Sequence, residues 1–323
     1  MTWPSPPGTT LSEGPLHPGL ATQVQDLAAA AARADGVAPL SEDVLLQVRH
    51  GSAAQARDLV LTTADGTLAG YAHLDAPDAE GQDGDASGEL VVHPDWRRRH
   101  FGSALAAALL AGASSHGVRL WAHGELPGAV GLASAAGFTR FRALLRLRMP
   151  LAAVPGDAEL APTELAPTEL TLPPGVSIRT FRTGADEDAW LAVNGRAFAH
   201  HPEQGSWTPE DLRLREAEKW FDPDGFFLAE RDGRLVGFHW TKVHPDGGDG
   251  GAPIGEVYVV GVDPGQQGGG LGRALTLAGL YHLRQLGLAD VMLYVDEDNT
   301  AAVRMYTALG FTLWSTDVMY RHQ

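Results

Sequence analysis

The most constraining feature of this 323-residue chain is the stretch EVYVVGVDPGQQGGGLG at residues 256–272. Alternation over 256–262, ended by Asp-Pro, predicts a strand, and the leucine-spaced run 273–286 predicts a helix. The glycines of the intervening loop let the backbone approach a ligand closely. Because the amides at a helix start are free and carry the positive end of the dipole, the stretch predicts a phosphate-binding loop.

Two common phosphate loops are excluded by the residues present. The chain has no Gly-Lys-Ser/Thr for a P-loop, and no early βαβ unit with a ribose-binding acid supports a dinucleotide fingerprint. Downstream, residues 291–296 predict a second strand. A short helix then places Asn299, Ala302 and Tyr306 near one face and ends at Gly310. Together with Gln267-x-x-Gly270-x-Gly272, this arrangement resembles the acetyl-CoA site of the GNAT acetyltransferases.

The resemblance implies an α/β fold with a mixed sheet, and acetyl-CoA as the acyl donor. Glu256 is the implied general base, acting directly or through a water, and Tyr306 is the implied general acid for the CoA sulfur. Without the motif, the two would be a strand carboxylate and a core aromatic residue. The implied CoA-binding residues are Val260, Gly261, Val262, Gln267, Gly268, Gly269, Gly270, Leu271, Gly272, Arg273, Asn299, Ala301, Ala302 and Arg304.

A second strand–loop–helix pattern, at residues 89–115, aligns with the first without gaps. Pro94 matches Pro264, His100 matches Gly270 and Gly102 matches Gly272. The chain is therefore predicted to be a tandem repeat of one GNAT-like domain. By the same resemblance, the first copy would hold CoA through Leu90, Val91, Val92, Arg98, Arg99, His100, Phe101, Gly102 and Ser103.

The two copies differ at the positions that carry chemistry. The alignment puts Ala86 opposite Glu256, Leu126 opposite Asn299 and Ala133 opposite Tyr306. The first copy thus lacks the base, the asparagine and the acid, and we expect no acetyl transfer there. Two roles stay open for it, which are structural CoA binding and packing alone.

Composition suggests the domain boundaries. Residues 1–20 are predicted to form a disordered tail, 21–152 the first domain and 175–323 the catalytic domain. Between them, residues 153–174 contain two successive Ala-Pro-Thr-Glu-Leu segments. A segment this rich in proline and acid cannot pack a core, so it is predicted to be a stiff linker.

Charge and cysteine content narrow the class of partner. The formal net charge is −16, which disfavours nucleic acid and anionic membranes as partners. With no cysteine and no N-terminal signal pattern, we expect a cytoplasmic protein. We also expect a monomer with no metal. A metal site is the competing interpretation of His200, His201, His239 and His244.

Further motifs concern the acetyl acceptor. The stretches HPEQGSW (201–207), WFDPDG (220–225) and GFHWTKVHP (237–245), with the tandem layout, resemble GNAT enzymes that acetylate the cysteinyl amine of a small sugar–inositol pseudo-disaccharide. The resemblance implies that the acceptor is bordered by Glu42, Glu203, Lys242, Glu256 and Tyr294. The alternatives are an enzyme for another small amine or a protein N-terminus, and a CoA-binding sensor without catalysis.

Overall fold

The computed structural model describes residues 6–53, 55–75, 84–112, 117–154, 171–199, 202–247 and 251–322. These residues divide into two compact units. The first contains residues up to Leu145 together with Ser315 onward, and the second contains Arg146–Gly247 and Gly251–Trp314. Each unit is a mixed β-sheet with packed helices, so the predicted α/β class is confirmed.

The first unit contains a sheet in the order β1-β2-β3-β4-β5-β12. Helices α1 and α2 pack against β3, with Val24, Leu27 and Tyr71 in a common core. The elements that begin in this unit, and the final strand that joins it, are β1 Thr9–Glu13, α1 Pro18–Asp35, α2 Glu42–His50, β2 Arg57–Thr63, β3 Leu68–Leu74, β4 Ala86–Val92, α3 Phe101–Gly112, β5 Val118–Ala122, α4 Pro127–Ala135, β6 Thr139–Pro150 and β12 Thr312–His322.

The second unit contains a sheet in the order β6-β11-β10-β9-β8-β7. Its core is aromatic, with Trp190, Phe226, Phe238 and Trp240 fully buried around one another. The remaining elements are β7 Val176–Thr180, α5 Glu187–Ala197, α6 Pro202–Gly205, α7 Pro209–Glu216, β8 Phe226–Arg231, β9 Arg234–His244, β10 Ile254–Val262, α8 Leu271–Gln285, β11 Asp290–Asp296 and α9 Thr300–Leu309.

In both units, the two central parallel strands pair at one end and then part. β10 pairs with β11 only over Gly255–Val257, although β10 continues to Val262. β4 pairs with β5 only over Ala86–Gly88 and continues to Val92. The separation opens the sheet next to the glycine-rich loop, where a ligand can reach the backbone of the longer strand.

The register of β10 on β9 shifts by one residue between Val257 and Val259. Tyr258 is the additional residue of this β-bulge. A bulge turns the strand and changes the direction of its backbone groups, and such irregularities are frequent beside active sites.

The structure differs from the predicted organisation at two points. Residues 9–13 are not disordered but pair with β2, and α1 already begins at Pro18. The two units also differ from the predicted ranges 21–152 and 175–323, because β6 passes into the second unit at Arg146 and β12 returns to the first at Ser315. The alternation of a strand shows which face is buried but not which strand lies beside it. Most of the predicted linker, residues 155–170, and residues 1–5 of the tail lie outside the described residues.

Within the described ranges, none of the helices combines the length and apolarity that a membrane crossing requires.

Candidate active site

The glycine-rich loop of the second unit joins β10 to α8. Gly268 and Gly270 have φ angles of 86° and 84°, in the left-handed region that favours glycine. Gly270 is the N-cap of α8, and no side chain caps this helix start. The first amides of α8 therefore meet no capping side chain in this exposed loop, and phosphate binding there stays a prediction.

The corresponding loop of the first unit has the same backbone conformation without glycine at these positions. Arg98 and His100, which align with Gly268 and Gly270, have φ angles of 60° and 65°. A residue with a Cβ adopts this region at a cost of about 1–2 kcal/mol. A strained conformation that both loops share indicates that the loop shape is needed in both.

One arginine of the first loop has a structural role. Arg97 donates to Val92 O at 3.2 Å, as Gln267 donates to Val262 O at 3.3 Å in the second unit. Arg97 also forms a two-bond ion pair with Asp35, at 2.6 and 2.7 Å. Its charge is therefore balanced within the unit. Arg99 stacks on Trp96, with 5.0 Å from its guanidinium carbon to the ring centroid.

Glu256 is buried on β10 and is surrounded by cationic groups. Its Oε2 lies 2.6 Å from His244 Nε2, and Lys242 is its direct neighbour on β9. Burial by itself raises the pKa of Glu256, but the hydrogen bond from His244 and the charges of His244, Lys242 and Arg146 outweigh it. The pKa thus lies below the usual value, and Glu256 is an ionised carboxylate at neutral pH.

The predicted acceptor residues Lys242 and Tyr294 lie on the same face of the sheet as Glu256. Lys242 and Met292 stand opposite Glu256 on the two neighbouring strands, and Tyr294 follows Met292 by two residues. The ammonium of Lys242 lies 4.3 Å from the centroid of the Trp220 ring. Tyr294 is 41% exposed, so its ring is accessible to a small molecule.

Arg146 belongs to the same face, although the sequence analysis missed it. Its guanidinium carbon lies 3.9 Å from the centroid of Trp314 and 5.7 Å from that of Tyr294. The residue comes from β6, whose first half lies in the first unit. No signal in the sequence pairs β6 with β11, so only the fold places this arginine. The role of His244 beside Glu256 was missed for the same reason, because the register of β9 on β10 is known only from the sheet.

Helix α9 carries the predicted acid and one end of the predicted CoA site. Tyr306 is buried against Phe311, with 5.7 Å between ring centroids, and burial raises its pKa. The phenol therefore keeps its proton at neutral pH. Asn299 is the N-cap of α9 and accepts a hydrogen bond from Ala302 N at 3.1 Å. The first turn of the helix includes Ala301, and Arg304 follows in the next turn.

Two further predicted acceptor residues lie at or near the starts of helices. Glu42 is the first residue of α2 in the first unit, next to the capping residue Ser41. Glu203 belongs to the short helix α6 of the second unit. Their part in the acceptor site stays a prediction.

In the first unit Ala86 begins β4, Leu126 precedes α4 and Ala133 lies within α4. Sequence reasoning overlooked a buried carboxylate on the same strand, Glu89. Glu89 accepts from Ser41 N at 2.7 Å and lies 3.4 Å from His123, which bonds Asp317 at 2.9 Å. These contacts engage Glu89 within the first unit.

The histidines considered as metal ligands have other partners where the structure describes them. His239 is buried and donates from Nδ1 to Leu275 O at 2.7 Å, and burial lowers its pKa to about 4. His244 bonds Glu256. In the described part of the chain, no three His, Asp or Glu side chains gather as a metal site. His200 and His201 lie outside the described residues.

Each copy combines two parallel strands that separate with a phosphate-type loop at the end of the longer strand. This arrangement is that of an acyl-CoA-dependent acetyltransferase. The model of the acetyltransferase (GNAT) family matches residues 22–138 and 194–311. The chain therefore belongs to the GNAT acetyltransferase family, and its tandem organisation is confirmed.

The chain is also similar to individual acetyltransferases over nearly its whole length. The chain is 58% identical to the mycothiol acetyltransferase of Thermomonospora curvata, over 96% of this chain and 96% of that protein. It is 59% identical to the mycothiol acetyltransferase of Thermobispora bispora, over 94% and 96% of the two chains.

Solved structures support the fold. A tandem GNAT protein from the clavulanic acid biosynthesis pathway aligns with a TM-score of 0.68 at 23% identity, over 97% of this chain and 98% of that one. A GCN5-related N-acetyltransferase from Sphaerobacter thermophilus aligns with a TM-score of 0.65 at 24% identity, over 97% and 95%. At these identities the likeness concerns the fold alone.

Proposed function

We propose that the protein transfers the acetyl group of acetyl-CoA to the cysteinyl amine of the cysteinyl–glucosaminyl–inositol precursor of mycothiol. This reaction completes mycothiol. The mycothiol acetyltransferases that the chain resembles over almost its whole length support this acceptor. The second copy carries the reaction.

The observation that carries the proposal is a buried, ionised Glu256 on the strand that leads into the glycine-rich loop. The diphosphate of CoA binds the amides of Gly268–Gly272 at the start of α8, where the helix dipole favours an anion. The pantetheine arm follows Val260–Val262 in the gap between β10 and β11. The thioester then lies close to Glu256, near the point where the strands part.

The reaction is a direct attack within a ternary complex. The ammonium of the acceptor, whose class titrates near 7.7–8.0, gives up one proton to the Glu256 carboxylate. The amine nitrogen bonds the acetyl carbon, and backbone N–H groups stabilise the developing oxyanion. The carbon–sulfur bond breaks, and the thiolate of CoA takes the phenolic proton of Tyr306. The nitrogen then loses its second proton as the amide forms, which restores the phenol of Tyr306, and Glu256 releases its proton to solvent. No covalent enzyme intermediate is required.

The pseudo-disaccharide lies on the face formed by Lys242, Glu256 and Tyr294. An acceptor rich in hydroxyl groups needs such charged and polar partners to replace its water. Glu42 and Glu203 stay predicted acceptor residues.

The first copy is proposed to hold CoA without acetyl transfer. Its loop keeps the left-handed conformation at Arg98 and His100, at an energetic cost, and Arg98 and Arg99 supply positive charge. Its lack of a base at Ala86 separates binding from catalysis.

The test follows the release of the CoA thiol. With acetyl-CoA and the cysteinyl–glucosaminyl–inositol acceptor, the wild type should release thiol much faster than with free cysteine or a peptide amine. Glu256→Gln should lower kcat on the order of 10²–10⁴-fold, since the amide keeps the shape but cannot take a proton. Asp232→Asn, on the exposed β8–β9 turn, is the matched control and should leave kcat unchanged. Equal rates with all three amines would contradict the proposed acceptor.

A further inference from the structure

We propose that His244 is a positioning residue for the acetyl transfer described above. By holding one oxygen of Glu256, it directs the other oxygen to the acceptor amine and keeps the carboxylate ionised. The role deepens the proposed function and rests on it, because Glu256 is the base only if the second copy transfers acetyl.

The contact is set by the sheet. Lys242 is directly opposite Glu256 in the β9–β10 register, and His244 lies two residues further along β9 on the same face. His244 Nε2 is 2.6 Å from Glu256 Oε2. The side chain of Glu256 is 8% exposed and that of His244 is 19% exposed, so the ring extends from a buried carboxylate towards solvent.

Hydrogen-bond chemistry defines which atom donates. An ionised carboxylate only accepts, so the proton in this contact is on His244 Nε2. Oε2 of Glu256 is therefore engaged, and its rotation is fixed. Oε1 is left as the oxygen that accepts the proton of the acceptor amine. His244 itself exchanges no proton with the substrate, which makes it a positioning residue.

The other charges around Glu256 act differently. Lys242 on β9 and Arg146 on β6 favour the ionised carboxylate through their charge, whereas His244 acts mainly through its hydrogen bond. Lys242 lies over Trp220 and Arg146 lies over Trp314. On β11 the residue opposite Glu256 is Met292, which carries no charge. His244 is therefore the neighbour whose removal changes both the orientation and the ionisation of Glu256.

Two substitutions separate the role from simple packing. In His244→Leu the hydrogen bond is lost, and we expect kcat to fall about 10–100-fold, with the KM for acetyl-CoA within twofold of wild type. In His244→Gln the side-chain N–H can still donate, and we expect most of kcat to return. Urea denaturation of both variants monitors the fold.

The decisive measurement is independent of activity. The protonated carboxyl band of Glu256 is followed by infrared difference spectroscopy against pH without acceptor, and is assigned with Glu256→Gln. In His244→Leu its titration should move to higher pH, because burial is no longer opposed by the hydrogen bond. In His244→Gln the shift should be smaller.

A titration of Glu256 in His244→Leu that matches wild type would overturn the proposal, as would an unchanged kcat in that variant. Failure of the proposed function gives a different pattern. In that case the titration moves as expected, which shows that His244 keeps Glu256 ionised, but wild-type protein releases no CoA with the cysteinyl–glucosaminyl–inositol acceptor.

Discussion

The conformation of the phosphate loop gives a quantitative prediction for Gly270→Ala. Gly270 has a φ of 84°, and a Cβ built there would meet no atom within 4 Å. The cost of alanine is therefore conformational and not steric, about 1–2 kcal/mol. Because the loop is exposed, residue 270 of the variant can leave the left-handed conformation when no ligand is bound. The loop must return to that conformation to bind acetyl-CoA, so the conformational cost lowers the affinity. At 1.4 kcal/mol per factor of ten, the KM for acetyl-CoA should rise roughly 5–30-fold.

The assay measures initial rates against acetyl-CoA concentration, which report the catalytic copy alone. kcat and thermal stability should change little. Gly265→Ala is the matched control: Gly265 has no left-handed φ, and its Cβ would lie 3.4 Å from Asp263 Oδ1, an ordinary contact. Its KM should stay within about twofold of wild type. A rise with Gly265→Ala as large as that with Gly270→Ala would refute the conformational argument, and no rise with Gly270→Ala would refute the phosphate loop.

Three further outcomes are expected. Tyr306→Phe keeps the packing on Phe311 but removes the acid, so kcat should fall on the order of 10²-fold with unchanged stability; an unchanged kcat would exclude Tyr306 as the acid. Calorimetry should find two equivalents of CoA per chain, and a single equivalent would remove the proposed site in the first copy. The free energy of unfolding should decrease as the pH rises above neutral, because His73 loses its proton, and the decrease should be smaller in His73→Gln. Plots of the free energy of unfolding against pH that run parallel for wild type and His73→Gln would contradict this assignment.

The sign of the pH effect follows from the surroundings of His73. Burial by itself lowers its pKa, but hydrogen bonds with Asp58 at 2.9 Å and Asp75 at 3.1 Å raise it to about 9. A group whose pKa is raised on folding contributes its full stabilisation at pH values below its pKa in the unfolded chain, which is 6.5 for this histidine. The contribution, on the order of 3 kcal/mol, is lost as pH rises through about 9. Urea unfolding between pH 7 and 10 measures it.

Much of the secondary structure of the second copy could be predicted, because it depends on residue patterns that are local in the sequence. The strand, the glycine loop and the helix over residues 256–286 follow from alternation, from Asp-Pro and from leucine spacing, and the structure places β10 and α8 there within a few residues. The short helix with Tyr306 was predicted in the same way. The alignment of the two loops agrees with the structure, because Arg98 and His100 have left-handed φ angles like those of Gly268 and Gly270.

The residues missed are those whose partners are distant in sequence. Arg97 precedes the predicted CoA-binding residues Arg98 and Arg99, and its charge is balanced by Asp35, which is distant in sequence. The strand at residues 9–13 carries few apolar residues and was predicted to be disordered. It forms because β2 offers an edge to pair with. Glu89 could not be recognised as engaged before Ser41 and His123 were placed beside it.

The sequence by itself determined that this chain contains two copies of an acetyl-CoA-type fold and that only the second carries Glu256 and Tyr306. The spacing of residue types is enough for that conclusion. Only the tertiary structure decided that β12 pairs with β5, that β6 brings Arg146 to the site, and that His244 holds Glu256. The physical reason is that periodicity determines which face of a strand is buried, whereas neighbouring strands are selected by the packing of the whole sheet.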